Sequence, residues 1–527
     1  MERLKSFVLD EWFDGTDEGD LLVDPTTEET LGSTSTTGLP FAKTLDYART
    51  TGGPTLRSMT FAERGALLKQ MSAVVHEKRE ELIALSIRSG GTTRKDAKFD
   101  IDGATGTLAA YARWAKQLGD RTFIVEEPGE PLTRSPRFCG YHVKLPKHGA
   151  AIHINAFNFP AWGMCEKAAC ALLAGMPVVS KPAPSTAQVA YAIVKIWQEA
   201  DLLPKGALQM ICGAPGELLD HVGPQDVVAF TGSAQTGAKI RKIDAIIDQS
   251  VPVNVEADSV NAAVLGSDVT TDSEVYALFL RHLQTEITQK AGQKCTATRR
   301  IFVPEALIDQ VQTDLIELLD EIRMGAPELE SVRLGPLVSA QQLEAARAGV
   351  QALVESGARI VHGSATEAKP EGVESGKGFF MGPVLLRADA PDDAAAIHAH
   401  EVFAPVSTLM PYTEMDDVLR WVALGGGGLV TSLYSDDRDW CKTAVMGLAP
   451  YHGRIFMGNS KAADQATAPG MVLPQSIHGG PGRAGGGEEL GGLRGLDFYM
   501  QRTAIQGDRG VLDRILDAPR KKEAETP

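Results

Sequence analysis

Short apolar segments alternate with helical ones along much of this 527-residue chain, and that alternation restricts the fold more than any other feature. Strands that alternate with helices usually pair in parallel, in a sheet that helices cover on both faces. The helical segments include 168–174 and 189–199. The sequence therefore predicts a parallel sheet with strands at 150–154, 177–180, 207–211, 227–230 and 251–255.

A second α/β series follows residue 295, and a chain of this length buries more than one core. Ahead of both series, the spacing of apolar residues at 61–86 and 100–118 predicts amphipathic surface helices. We therefore expect two α/β domains. The strands predicted for the second sheet are 301–303, 359–361, 384–386 and 406–410.

Residues 123–125 and 140–145 predict two extended arms around a turn-rich stretch. Such an arm can extend the sheet of a neighbouring subunit, so we expect at least a homodimer. The glycine-dense segments 425–428 and 478–495 lie within patterned sequence, which favours ordered tight loops over flexible linkers. The end of the chain, 521–527, is expected to be frayed.

The composition excludes several classes of function. A formal charge of −16 argues against a nucleic-acid surface. No apolar run approaches the roughly 18 residues of a membrane span, and the N-terminal residues have no signal-peptide pattern, so we expect a cytoplasmic protein. The cysteines are too sparse for a disulfide framework and match no common zinc pattern, so we expect no metal and five structural thiols. The six are Cys139, Cys165, Cys170, Cys212, Cys295 and Cys441.

Cys295 lies in the polar, glycine-containing segment 291–297, and Glu256 ends an apolar, strand-like run. A thiol nucleophile and a carboxylate base are the two groups needed to oxidise an aldehyde through a thioester. Neither residue is decisive alone. An intracellular cysteine is more often a small core residue than a nucleophile, and Glu256 is also compatible with a surface carboxylate at a strand end.

Six motifs occur in the order found in the aldehyde dehydrogenase superfamily, and the resemblance runs from Glu11 to Tyr499. It implies an α/β fold with a Rossmann-like cofactor domain, an α/β catalytic domain and a small β oligomerisation element. The implied boundaries are 1–120 and 146–255 for the cofactor-binding domain, 256–480 for the catalytic domain, 121–145 and 481–510 for the oligomerisation element, and 511–527 for a tail. The motifs are Asn155-Ala156-Phe157-Asn158-Phe159-Pro160, Lys181-Pro182-Ala183-Pro184, Phe230-Thr231-Gly232-Ser233-Ala234-Gln235-Thr236-Gly237, Glu256, Gly292-Gln293-Lys294-Cys295 and Glu401-Val402-Phe403-Ala404-Pro405-Val406.

The resemblance implies a catalytic set. Cys295 would attack the aldehyde carbon, and Glu256, with a pKa raised by burial, would activate the water that hydrolyses the thioester. Asn158 and the Cys295 N–H would stabilise the oxyanion, although a turn-capping role also fits Asn158. Lys167 and Glu489 match positions linked to proton relay, and both are equally compatible with solvated charges. Lys294 is adjacent to the thiol in sequence, but adjacent side chains usually point apart.

One motif departs from the family pattern. Glu256-Ala257-Asp258-Ser259 stands where the common motif is Glu-Leu-Gly-Gly. The difference indicates an unusual pose of the substrate or the cofactor.

A dinucleotide site is predicted where a strand enters a helix at Thr231, Gly232 and Ser233, because backbone N–H groups and a hydroxyl there would face a pyrophosphate. The resemblance adds two pairs of contacts, although turn formation alone would explain the first pair. They are Gly213 and Gly216 in an adjoining loop, and Glu401 and Phe403 at the nicotinamide ribose and ring.

Pro184 occupies the position where many NAD-using members have a glutamate that binds the adenosine ribose and repels a 2′-phosphate. That repulsion is absent here. Lys181 offers a cation, and Ser185 and Thr186 offer hydroxyl groups. NADP is therefore the predicted cofactor.

The segment 478–507 resembles the branch of the superfamily that acts on CoA-linked semialdehydes in aerobic aromatic degradation. The branch comprises the dehydrogenase half of a bifunctional ring-opening protein of phenylacetate catabolism and a stand-alone relative of the benzoyl-CoA (box) pathway. The chain ends soon after Gln506, which favours the stand-alone type. The implied substrate is of the 3,4-dehydroadipyl-CoA semialdehyde type, oxidised with its thioester to CoA intact. Arg483 and Arg494 are candidates to meet CoA phosphates, or are simply solvated.

Three alternatives remain open. The enzyme could oxidise a free aldehyde, or it could be a CoA-acylating dehydrogenase in which free CoA removes the acyl group from Cys295. Thiolysis does not need a water-activating base, so Glu256 argues against the acylating reaction. The third alternative is a non-catalytic binding protein on the same fold, against which the presence of Asn158, Glu256 and Cys295 together argues.

Overall fold

A computed structural model describes residues 2–126 and 128–517. The described strands are, in chain order, β1 (Glu2–Leu4), β2 (Ser6–Val8), β3 (Glu11–Phe13), β4 (Asp20–Val23), β5 (Thr30–Thr34), β6 (Ile124–Val125), β7 (Glu130–Pro131), β8 (Phe138–Pro146), β9 (Ala151–Ile154), β10 (Val178–Lys181), β11 (Leu208–Met210), β12 (Val227–Thr231), β13 (Val253–Glu256), β14 (Asn261–Leu265), β15 (Thr298–Pro304), β16 (Arg359–His362), β17 (Val384–Arg387), β18 (Val406–Tyr412), β19 (Gly428–Tyr434), β20 (His452–Gly458), β21 (Ile477–Gly479), β22 (Glu488–Leu490) and β23 (Met500–Asp508).

The described α-helices are α1 (Phe41–Tyr47), α2 (Gly53–Ser58), α3 (Phe61–Glu77), α4 (Arg79–Gly90), α5 (Arg94–Leu118), α6 (Trp162–Ala174), α7 (Ala187–Glu199), α8 (Ala234–Ile240), α9 (Asp244–Asp248), α10 (Glu274–Thr288), α11 (Ile308–Asp320), α12 (Ala340–Glu355), α13 (Ala395–Ala399), α14 (Met415–Ala423), α15 (Arg438–Leu448) and α16 (Arg509–Ile515). The predicted helix at 61–86 is two helices, α3 and α4, that meet at Lys78. Thr60 and Glu63 form a capping box at the start of α3. The predicted helix at 100–118 lies within α5.

The first sheet has the order β13-β12-β9-β10-β11-β2-β3. Its five strands from β13 to β11 are parallel, which confirms all five strands predicted for it. From β9 the chain proceeds to β10 and β11 on one side, and later to β12 and β13 on the other. The carboxyl edge between β9 and β12 is therefore a topological switch point, where open α/β sheets bind ligands.

The second sheet has the order β16-β17-β18-β15-β14-β19-β20. The four strands predicted for it are confirmed as β15 to β18, whereas β14, β19 and β20 were not predicted. The run 425–428 forms the predicted tight turn, with Gly426 and Gly427 at φ values of +70° and +119°, and it leads directly into β19. Glycine is rare in strand interiors. The glycine run at the start of β19 therefore gave no signal of a strand.

A third sheet pairs the long strands β8 and β23, with β6 and β7 also bonded to β8. Both predicted arms are therefore strands. Leu512 of α16 belongs to the same hydrophobic cluster as Cys139 and Val143 of β8, so part of the predicted tail 511–527 is a packed helix. Residues 518–527, which include the end expected to be frayed, fall outside the described residues. β22 and the 3₁₀ helix Gly492–Tyr499 instead contribute to a hydrophobic core that they share with α3, α5 and α6. The domain boundaries stay a prediction. No helix of the described chain is both long and apolar enough to cross a membrane.

Candidate active site

The Cys295 loop follows α10 through a 3₁₀ turn at Gln289–Gly292. Lys290, Ala291 and Gly292 all have φ between +52° and +66°, the left-handed region that favours glycine. At Gly292 a Cβ atom would lie 2.2 Å from the carbonyl oxygen of Ala404, so only glycine fits there. Strained backbone of this kind is held in place by its surroundings and is typical of functional loops.

Two buried side chains hold this loop. Asn261, on β14, donates from Nδ2 to the Cys295 carbonyl at 2.8 Å and to the Ala297 carbonyl at 2.9 Å. Arg299 donates to the Gly292 carbonyl at 2.8 Å and to the Ala404 carbonyl at 2.7 Å. The thiol is thus carried on a fixed backbone. Cys295 is part-buried, while the other five cysteines are buried.

Lys294 does not act on the thiol. Its ammonium lies 2.8 Å from Glu286 in a buried ion pair and donates to Gln289 at 2.9 Å. The expectation that its side chain points away from Cys295 is confirmed.

Glu256, His478 and Cys295 form one buried cluster. Nε2 of His478 lies 3.0 Å from Oε1 of Glu256 and 3.9 Å from Sγ of Cys295. Glu256 is 3% exposed and His478 is 5% exposed. β13 ends at Glu256 and β21 carries His478, so two separate elements bring these groups to the thiol. The same three types of ligand bind zinc, and an ion held there would block the thiol.

The electrostatics of this cluster differ from the expectation. Burial acts to raise the pKa of Glu256, but the adjacent His478 and the charge of Lys167 outweigh it and lower that pKa to about 2. The expected raised pKa is therefore wrong. Burial acts to lower the pKa of His478, yet Glu256 raises it overall. Burial, together with the carboxylates of Glu256 and Glu166, raises the pKa of the Cys295 thiol well above its usual value.

Lys167 and Glu489 lie at this site and are not solvated. Nζ of Lys167 is 3.0 Å from Glu489 and 3.4 Å from Glu166. Asn254 donates to the other Glu489 oxygen at 3.0 Å. Carboxylate oxygens of Glu166, Glu256 and Glu489 lie within 4.8 Å of one another. Burial and the neighbouring carboxylates raise the pKa of Glu166 to about 7, so this group exchanges a proton near neutral pH.

Asn158 is buried beside the thiol and donates from Nδ2 to the Gln293 carbonyl at 3.1 Å. It lines an apolar pocket in front of Cys295, which we call the substrate pocket. Aromatic side chains form much of the pocket wall, and Glu256, Lys167 and His478 supply its polar side. The aromatic residues are Phe99, Phe159 and Trp162.

A second cavity, of about 800 Å³, also reaches the thiol, and we call it the cofactor cavity. It runs along the carboxyl edge of β9, β10 and β12, and both Cys295 and Glu256 face it. Most of the predicted cofactor residues line it: Lys181, Pro184, Gly216, Thr231, Gly232, Ser233, Glu401 and Phe403.

Three residues predicted for the cofactor do not line this cavity. Ser185 and Gly213 are not among the residues that line the cavity. Thr186 donates its hydroxyl proton to the Phe157 carbonyl at 2.8 Å and is committed there. Lys181, the cation predicted for this part of the cofactor, does line the cavity. Burial lowers its pKa to about 8, and no carboxylate of the described residues lies within ion-pair distance of it.

The unusual Asp258 also lines the cofactor cavity. Its carboxylate accepts from the N–H of Ala234, the first residue of α8, at 2.9 Å, and lies 4.0 Å from Arg483. Arg483 lines the same cavity. Ser259 donates its N–H to Glu401 at 3.2 Å, and burial raises the pKa of Glu401 to about 7.

Comparison with known proteins identifies this arrangement. Residues 12–505 match the model of the aldehyde dehydrogenase family. The chain belongs to this family.

Individual relatives show which known proteins this chain resembles in sequence and in fold. This aldehyde dehydrogenase is 40% identical over 479 residues to the 3,4-dehydroadipyl-CoA semialdehyde dehydrogenase of Aromatoleum evansii, covering 91% of this chain and 93% of that one. A 182-residue stretch is 40% identical to the protein MaoC of Klebsiella aerogenes, covering 34% and 52% of the two chains. The fold matches lactaldehyde dehydrogenase from Escherichia coli with a TM-score of 0.83 at 24% identity, over 96% of this chain and 99% of that one.

Three residues at the site of this aldehyde dehydrogenase were missed in the sequence. Asn261 and Glu166 sit inside apolar patterns that predict only core positions, and His478 opens a glycine-dense segment. For Asn261 the signal was a polar residue at a fully buried strand position, which requires hydrogen-bond partners. Nothing in the sequence places His478 near residue 256.

We expect the replacement of His478 by phenylalanine to move the acid limb of the pH–rate profile to higher pH. His478 holds the pKa of Glu256 below its usual 4.5, so without it burial raises that pKa and less carboxylate is ionised at acidic pH. Alkylation of Cys295 should also become slower, since the imidazole 3.9 Å from Sγ no longer stabilises a thiolate. Unchanged profiles in a variant that melts like the wild type would show that His478 only fills space.

Proposed function

We propose that this aldehyde dehydrogenase oxidises a CoA-linked semialdehyde, of the 3,4-dehydroadipyl-CoA semialdehyde type, to the carboxylic acid with NADP as acceptor. The observation that carries the chemistry is the position of Cys295 and Glu256, which face both the substrate pocket and the cofactor cavity. The choice of substrate is supported by the 40% identity to the Aromatoleum evansii enzyme over 91% of the chain.

The reaction would begin when the Cys295 thiolate attacks the aldehyde carbon and forms the C–S bond. The aldehyde oxygen becomes an oxyanion beside the Asn158 amide and the Cys295 N–H. At comparable sites, the loss of one such hydrogen-bond donor lowers the rate by about a hundredfold or more. When bound, the nicotinamide cofactor accepts the hydride that leaves this carbon. The product of this half-reaction is a thioester on Cys295.

Hydrolysis would follow at the same carbon. The ionised Glu256 takes a proton from water, the resulting hydroxide attacks the thioester, and Cys295 leaves as a thiolate. The proton must then escape from a buried carboxylate. Glu166 and Glu489 lie within 4.8 Å of Glu256, and Lys167 joins them, so these three groups form a route for it.

Two alternatives concern the acyl acceptor and the substrate. In a CoA-acylating enzyme free CoA would remove the acyl group, and no base for water would be required. Glu256 is buried, ionised and next to a group with a pKa near 7, which favours hydrolysis. A free aldehyde as the true substrate is tested directly below.

Two features of the cofactor cavity support NADP over NAD. Pro184 stands where a carboxylate would repel a 2′-phosphate, and Lys181 has no carboxylate within ion-pair distance among the described residues. We expect Pro184→Glu to lower kcat/KM for NADP by about tenfold or more, because like charges near a protein surface repel by about 1 to 4 kcal/mol. Pro184→Gln makes the same backbone change without the charge. Steady-state kinetics with NADP and NAD should show a selective loss in the glutamate variant, and equal losses in both variants would contradict the assignment.

We propose that the third sheet joins subunits into a homodimer or a larger homo-oligomer. Within the described chain β23 pairs only with β8, so its other edge is open, and residues 501–504 are exposed. An open edge of this length is a template for another chain. Light scattering that shows only a 56.3 kDa species would reject the proposal.

The cellular setting follows from the substrate. A CoA-linked semialdehyde of this type belongs to aerobic benzoate and aromatic degradation, where we place the enzyme. All six cysteines are free, as is usual in reducing compartments, which supports a cytoplasmic location.

The deciding experiment measures NADPH formation with a CoA-linked semialdehyde and with the matching free semialdehyde. We expect a strong preference for the CoA-linked compound in kcat/KM. Equal or better use of the free aldehyde would leave the dehydrogenase chemistry intact and would remove the reason for the aromatic-degradation assignment.

A further inference from the structure

We propose that a surface cleft along one face of α5 binds the nucleotide end of the substrate, a phosphorylated adenosine carried on a long, uncharged arm. This inference deepens the proposed function and rests on it. The cleft has a volume of about 660 Å³ and lies between α5 and the segment 471–475, and we call it the α5 cleft.

The α5 cleft leads to the thiol. Phe99, Trp162 and Val472 line both this cleft and the substrate pocket that contains Cys295. None of these three residues lines the cofactor cavity. A substrate can therefore extend from Cys295 to the surface through the α5 cleft while the cofactor occupies the opposite side.

The cations of the α5 cleft are free to meet phosphates. Lys95, Lys98 and Arg113 line it and are exposed, and none lies within ion-pair distance of a carboxylate in the described parts of the chain. The acidic residue of the lining, Asp102, is paired with Arg79 through two contacts of 2.5 and 2.9 Å. In a chain of net charge −16, this local positive charge is a specific feature.

The middle of the cleft is smooth and apolar. Gly103 and Gly106 stand on this face of α5, although glycine is disfavoured inside helices. A Cβ at Gly103 would strike the Trp162 ring at 2.1 Å, whereas the space beside Gly106 is open. Leu473, on the facing wall, is 43% exposed. The small residues leave a trough in which a thin, uncharged arm can lie.

The cleft is long enough to hold an extended, uncharged arm. Lys95 and Arg113 are 18 residues apart on one helix, which corresponds to about 27 Å at 1.5 Å per residue. Phe99, at the inner end, lies between the cations and the thiol pocket. We place the phosphates at Lys95 and Lys98, which precede Phe99 on α5, while the aldehyde reaches Cys295.

The test uses the full-length enzyme with Lys95→Glu and Lys98→Glu combined. Both residues are exposed near the start of α5, where glutamate is favourable, so folding should be unaffected. Lys116→Glu is the matched control, since Lys116 is exposed on the same helix and outside the cleft lining. We expect the double variant to raise KM for the CoA-linked semialdehyde about tenfold or more without changing kcat or the KM of the free semialdehyde. The control should change neither substrate.

Calorimetric binding of CoA itself to NADP-saturated enzyme separates this inference from the proposed function. We expect CoA to bind the wild type and to lose affinity about tenfold in the double variant. Turnover that prefers the CoA-linked substrate, with unchanged CoA binding in the variant, would overturn the cleft and keep the function. CoA binding that depends on Lys95 and Lys98, without any preference in turnover, would support the cleft as a nucleotide site and overturn the function.

Discussion

Replacing Cys295 by alanine is expected to reduce NADPH formation by about 10⁴-fold or more, because no other group at the site can form the covalent bond that precedes hydride loss. The thiol is the part-buried member of six free cysteines and faces both cavities. Stopped-flow absorbance with saturating NADP and semialdehyde measures the effect. Binding of NADP should persist, since the backbone of the loop is held by Asn261 and Arg299.

Cys441→Ala is the control for this variant. Cys441 is buried on α15, and its thiol contacts the Ser435 carbonyl far from the site in sequence and fold. We expect full activity from it. Iodoacetamide should label Cys295 in the wild type before any of the buried thiols. Residual NADPH formation in Cys295→Ala above one hundredth of the wild-type rate would remove the covalent mechanism.

Replacing Glu256 by glutamine is expected to separate the two halves of the reaction. Hydride transfer needs the thiolate, whereas hydrolysis needs the carboxylate to take a proton from water. The variant should therefore release about one equivalent of NADPH per site in a burst, followed by turnover slowed about 10²- to 10⁴-fold. Rapid mixing records the burst, and mass spectrometry of the quenched enzyme should show the acyl group on Cys295.

Glu488→Gln controls for the change of charge, because Glu488 is an exposed neighbour of Glu489 on β22. It should turn over normally. Loss of the burst together with turnover would mean that Glu256, through its contact with His478, is needed to form the thiolate and not only to activate water. Rapid release of the acyl group from Glu256→Gln on addition of free CoA would favour the acylating alternative.

The sequence was sufficient for the parts of the molecule that follow local patterns. The strands of the first sheet alternate with amphipathic helices, and this alternation predicts their parallel pairing. The motif around Cys295 predicts the loop that carries the nucleophile. It was insufficient wherever an outcome depends on distances between remote segments. His478 lies 222 positions after Glu256, and their contact reverses the expected direction of the Glu256 pKa.

The same reason explains why some of the residues predicted for the cofactor do not line the cavity. Ser185 and Thr186 follow Pro184 directly in a 3₁₀ turn at Pro184–Thr186, and the Thr186 hydroxyl donates to the Phe157 carbonyl. Arg483 belongs to a segment associated with substrate type, yet the chain folds back so that it faces the cofactor cavity. Adjacency in sequence did not predict which wall a side chain faces.

The close approach of Gly292 to Ala404 connects the Cys295 loop to the segment that contains Glu401 and Phe403. Arg299 clamps the carbonyl groups of both residues, and Glu401 and Phe403 belong to the same short segment as Ala404. A displacement of that segment by an arriving dinucleotide would be transmitted through a rigid backbone contact to the loop that carries the thiol. The loop that carries the nucleophile and the segment predicted to contact the nicotinamide are therefore held together as one rigid unit.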